Sequence, residues 1–132
     1  MNKTPKPFNI LFAAAVAFGV YVFYCLLMIQ LDDRDLPWMV VDVLDFILFP
    51  ICLWGLKSQK RWALRLSFLL AAQALALGIT LVHFVWTFWI FEEPTLWERI
   101  LSALHPRVSI FIIFPVVWFL FFAKKENREA FK

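Results

Sequence analysis

Four long apolar runs separated by short polar breaks organise the 132-residue chain. They cover roughly 8–31, 36–56, 62–91 and 106–123. A helix needs about 20 residues to cross a hydrocarbon core about 30 Å thick. All four runs reach that length, the last by beginning near Pro106. Backbone polar groups in lipid must be paired within their own segment, so each run is read as a helix. The third run, about 30 residues, measures roughly 45 Å as one helix, so it must tilt or protrude. After it, segment 95–104 places Leu96, Trp97, Ile100, Leu101 and Leu104 on one face. This is an amphipathic helix that either lies on the outer surface or extends the fourth span. Pro106 kinks it or starts the next helix. Pro50 and Pro115 are expected kinks of a kind that membrane helices tolerate.

Composition supports the same reading. The chain is 63% hydrophobic with 16 Phe and 7 Trp, more apolar surface than a soluble domain of this length can hide. The expectation is one all-α domain, a polytopic bundle of four transmembrane helices with an amphipathic surface helix between the third and fourth. Lys3 and Lys6 give the first run a signal-like start. Its apolar stretch is too long for a signal peptide, no small-residue cleavage site follows it, and "VFY" before Cys25 is not a lipoprotein site. It is expected to stay as a permanent helix. Cys25 and Cys52 have no CxxC or metal spacing and read as small apolar fillers.

Charge sets an expected orientation. Lys3 and Lys6, then Lys57, Lys60, Arg61 and Arg65, then Lys124, Lys125, Arg128 and Lys132 place ten bases on one side. Only Arg34, Arg99 and Arg107 fall on the other, among Asp32, Asp33, Asp35, Glu92, Glu93 and Glu98. The positive-inside rule then puts both termini in the cytoplasm. Trp54, Trp62 and Trp118 are expected at the inner interface, and Trp38, Trp86, Trp89 and Trp97 at the outer one. The tail 124–132 reads as a solvated segment that could dock on anionic lipid. Bases scattered between apolar runs are not a nucleic-acid footprint. The layout resembles that of many small four-helix proteins of bacterial inner (plasma) membranes, a likeness of form that carries no function.

Against this apolar background two acids stand out, Asp42 and Asp45, three residues apart in the second run. Positions i and i+3 are neighbours on a helix, so the acids share a face. Asp45 lies roughly 16 Å above the inner helix end at the helical rise, near mid-bilayer. A charge facing lipid there costs about 2.5 kcal/mol or more, so both acids should face protein or water. The third run offers Gln73, Ala76, Thr80, His83 and Thr87 in heptad register, a stripe suited to close helix packing. Tyr21 and Tyr24, with small Ala15 and Gly19, come from the first helix, and His105 and Arg107 open the fourth. The candidate cluster is therefore Tyr21, Tyr24, Asp42, Asp45, Gln73, Thr80, His83, His105 and Arg107, open toward the outer side.

Four readings compete for this cluster. It holds helices together through hydrogen bonds. It binds a proton or cation in a small oligomeric transporter or channel, since intramembrane acids mark ion pathways and burial beside another acid raises a carboxylate pKa. It senses pH or cations, or modulates a larger membrane protein, through histidines and acids near the outer surface. Or His83 and His105, the two histidines, hold a haem, or join an acid around a metal, although their spacing is not that of helical ligands. No phosphate loop, GxSxG, HExxH or CxxC is present. An acid dyad could do protease-like chemistry, but on one membrane helix a structural or proton-binding role fits better. The expectation is a non-enzymatic accessory, regulatory or sensing protein that acts by helix association, without cofactor or metal. Its partners are the bilayer and another membrane protein or a further copy of itself, not nucleic acid. The alternative is the transporter using Asp42 and Asp45.

Overall fold

The computed structural model describes residues 6–30, 36–87 and 93–132. Lys3, Asp32, Asp33, Arg34, Asp35, Trp89 and Glu92 lie outside them. Among the described residues 89% are helical and none forms a strand, which makes the chain all-α. The helices are α1 (Lys6–Gln30), α2 (Leu36–Lys57), α3 (Arg61–Thr87), α4 (Leu96–Ala103), α5 (Pro106–Ala123) and α6 (Lys125–Glu129). Four of them, α1, α2, α3 and α5, are long and apolar enough to cross a membrane. Pro50 and Pro115 sit inside α2 and α5, which continue through them.

The helix ends are fixed by short-range polar contacts. At the end of α2, Lys60 N donates to Gly55 O at 2.9 Å and Gln59 N to Leu56 O at 3.0 Å. This paired closure needs a left-handed residue at its corner. Gln59 supplies it with φ of 55°, a conformation that costs a residue with a Cβ roughly 1–2 kcal/mol. At the start of α4, Thr95 Oγ1 accepts from Glu98 N at 3.3 Å, while Glu98 Oε2 accepts from Thr95 N at 3.1 Å. That reciprocal box satisfies two donors that the first turn leaves open. The chain then breaks at His105. Pro106 opens α5 with its φ already helical, and the amides of Val108 and Ser109 donate to His105 O at 2.9 Å. The amphipathic segment is therefore a helix of its own, not an extension of α5.

The chain divides into two units, residues 1–67 with 124–132, and residues 68–123. In the first, α1 and α2 approach closely through aromatic rings. Phe23 stacks on Phe46 at 4.3 Å and meets Phe49 edge-on at 5.5 Å. A Cβ on Gly19 would overlap the tip of the Phe49 ring, so the missing side chain is what admits that ring. Cys52 is buried, and its thiol donates to Ala63 O at 3.4 Å, as suits a small filler at a crowded turn. The charged residues of the tail are exposed, as a solvated segment would have them, but its end is anchored: Ala130 and Phe131 are buried, and Phe131 meets Phe8 edge-to-face at 5.6 Å.

In the second unit, Phe68 of α3 stacks on Phe119 at 5.8 Å and meets Phe122 edge-on at 6.0 Å. Trp118 is buried and meets Phe114 and Phe122 with ring centroids 5.9 and 5.0 Å away. At Gly78 an added Cβ would stand 2.9 Å from the backbone C and O of Phe111 and from Ile112 Cγ1. Backbone cannot swing aside as a ring tip can. Gly78→Ala is therefore expected to cost about 1–3 kcal/mol, the range of overpacked cores. Gly19→Ala, which meets one edge of the Phe49 ring, a side chain and not backbone, is expected to cost less. Thermal unfolding of the two variants in one detergent checks the order.

Candidate functional site

The candidate residues divide between the two units. Tyr21, Tyr24, Asp42 and Asp45 belong to the first, and Gln73, Thr80, His83, His105 and Arg107 to the second. Each group has its own geometry.

On α2 the two acids differ in burial. Asp42 is 3% exposed, whereas Asp45 is half-buried. Asp42 stands four and seven residues before Phe46 and Phe49, which places it on the stripe that packs against α1. Its carboxyl group is not left without a partner. No buried side-chain nitrogen or oxygen among the described residues lacks a hydrogen bond. That satisfies the rule that a buried polar group must be paired. On α1, Tyr21 is half-buried and engaged, and Tyr24 is exposed.

On α3 the heptad stripe points the other way. Gln73, Ala76, Thr80, His83 and Thr87 are all exposed. Ala71 and Gly78, on the opposite side of the same helix, are buried. Thr80 Oγ1 donates to Ala76 O at 2.9 Å and Thr87 Oγ1 to His83 O at 2.8 Å. Both hydroxyls thus close on their own helix one turn back, the usual way a mid-helix threonine satisfies itself. Within it Ala72, Ala76 and Thr80 fall at intervals of four, a line of small residues flanked by the exposed Leu69, Leu77 and Phe84.

His105 has a local task that sequence reasoning missed. Its Nδ1 accepts from Arg107 N at 3.2 Å, so the imidazole caps the first turn of α5. The signal was present in "HPR", a polar residue immediately before a proline at the first helical position. Arg107 is exposed and engaged elsewhere in the structure. Arg99 places its guanidinium 6.0 Å from the Trp86 ring, at the outer limit of a cation–π contact. Among the described residues no three His, Cys, Asp or Glu side chains gather as metal ligands.

These features define a class, an all-α chain with four helices of membrane-crossing length and apolarity. They carry one buried acid and one exposed heptad stripe. No known family, curated protein or solved structure matches the chain.

Burial makes the two acids unequal in a measurable way. Asp42→Leu strands the groups that now bond the carboxyl and is expected to cost about 1–3 kcal/mol. Asp42→Asn keeps the shape and one acceptor oxygen and should cost less, and Asp45→Leu, at a half-buried place, less than Asp42→Leu. Unfolding midpoints in a single detergent rank the three.

Proposed function

We propose that the chain is a small integral membrane protein, of the bacterial inner-membrane kind with both termini cytoplasmic. It acts without catalysis, as an accessory, regulatory or sensing component that docks through a membrane helix. The observation that carries this reading is the outward stripe on α3. A helix of 27 residues with an apolar span has no need of a continuous line of Ala, Thr, Gln and His on its exposed side. Large apolar residues would serve better against lipid. Small residues let a second helix approach closely, and polar ones along the seam set register, which is how helices recognise one another in a bilayer. The ten-to-three division of bases supports the orientation. The exposed Leu96, Trp97 and Leu101 of α4 and Leu104 just after it suit a helix lying in the outer interface.

The test is a bulky residue in the seam. Ala76→Phe is expected to abolish co-purification of the partner, or self-association, in mild detergent, and to leave the unfolding midpoint of the chain unchanged because Ala76 is exposed. Association that survives the substitution overturns this use of α3.

A second reading rests on Asp42, an acid 3% exposed within a candidate membrane span. Intramembrane acids commonly bind the transported proton or cation, so the alternative is a small oligomeric transporter or channel using Asp42 and Asp45. In that case Asp42→Asn or Asp45→Asn, while still inserting and associating, should lose ion-coupled flux in liposomes. Unchanged flux and function in both variants remove any chemical role for the pair.

A further inference from the structure

The last residues of the sequence are clasped to the α2–α3 turn. Lys132 N donates to Gln59 O at 2.8 Å, and Arg61 N donates to Lys132 O at 2.9 Å. Arg61 Nε also donates to Phe131 O, 70 positions away, at 3.1 Å. Phe131 is 1% exposed and rests on Phe8, which anchors the strap by apolar burial. Two distant segments thereby share one end of the first unit.

Both segments are basic. The turn and its flanks expose Lys57, Lys60, Arg61 and Arg65. The strap exposes Lys124, Lys125, Arg128 and Lys132. Against these eight bases the two stretches hold two acids, Glu126 and Glu129, and Glu129 pairs with Lys125 at 3.6 Å. Like charges so assembled repel one another, a cost that an anion would offset. The clasp uses only Arg61 Nε, so the remaining guanidinium donors are not needed for it. Beside the bases, Trp54 is 67% and Trp62 44% exposed. Outward indoles next to lysines and arginines suit the boundary between headgroups and acyl chains. A soluble anion or a nucleic acid supplies no apolar layer for such rings, whereas a phospholipid supplies both.

We propose that this clasped end binds anionic phospholipid, the bases holding the headgroup phosphate and Trp54 and Trp62 lying at the acyl boundary. The strap is what completes the site, because it brings its four bases to the four of the turn. The proposal presupposes membrane insertion, which retention of the chain in the membrane fraction after alkaline extraction tests separately.

The experiment is native mass spectrometry of the full chain released from detergent, titrated with phosphatidylglycerol, phosphatidylcholine and inorganic phosphate. The expected result is at least about a hundredfold preference for phosphatidylglycerol over phosphatidylcholine, with inorganic phosphate unable to displace it. Each base near an anionic surface contributes roughly fivefold. Lys60→Gln, Lys124→Gln and Arg128→Gln together should therefore remove about a hundredfold and leave the two lipids bound alike. Phe131→Ala removes no charge but frees the strap, and is expected to lower the preference about tenfold. If that variant does not fold, the triple variant decides alone. Equal retention of both lipids by the unaltered chain, or a preserved preference in the triple variant, overturns the proposal. Displacement by inorganic phosphate assigns the patch to soluble anions and overturns it as well. A folded Phe131→Ala chain with full preference overturns the role of the strap.

Discussion

Backbone satisfaction governs this structure more than any single contact. A run of about 20 apolar residues can leave water only as a helix, because nothing else pairs its amides and carbonyls within the segment. Once α1, α2, α3 and α5 are helices, their interiors are settled and the difficulty moves to their ends. There the chain uses four different devices: the left-handed Gln59 corner, the Thr95–Glu98 box, the His105 cap before Pro106, and the strap on the α2–α3 turn. Each puts a polar group where a terminal amide or carbonyl would otherwise be open.

Packing between helices follows from what the apolar runs contain. Sixteen phenylalanines give large flat surfaces that meet stacked or edge-on, as the ring quadrupole favours. In the first unit Phe23 sits between Phe46 and Phe49, and in the second Phe68 sits between Phe119 and Phe122. Rings of this size hold helices apart unless something small stands opposite. Gly19 and Gly78 are those positions. They differ in kind, since one admits a side chain and the other admits backbone, and the second leaves far less room for change.

The helices were legible in the sequence because length and continuity of hydrophobicity are properties of a segment by itself. The separate α4 was half legible: its apolar face was plain in the spacing of Leu96, Ile100 and Leu104, and "TLWE" carried the capping box that fixes its start. Contacts between distant segments were not legible. Nothing local marks Gly78 as the place where Phe111 backbone arrives, and a left-handed glutamine gives no signal where glycine would. The strap left one trace, the apolar pair Ala130–Phe131 in an otherwise charged tail, but its anchor lies 70 positions away at Arg61. For the candidate site, the exceptional character of Asp42 was readable, and so was the register of the α3 stripe. Which way each faced was not, because helical periodicity fixes relative directions around an axis and says nothing of the absolute one.

Those facing directions separate two uses of polarity that look alike in sequence. Asp42 is turned inward and partnered. A group so placed is costly to strand, so it resists replacement whether or not it also binds a proton. The α3 stripe is turned outward, and its threonines are satisfied by their own helix. It therefore costs little while exposed, yet offers a surface a neighbouring helix can approach closely. The proposed action by association would use this asymmetry: polar groups that serve the fold kept inside, and polar groups available to a neighbour left outside in a form stable without one. The basic clasp extends the same logic to one end of the first unit, where the charges are all exposed and the apolar Ala130 and Phe131 are hidden.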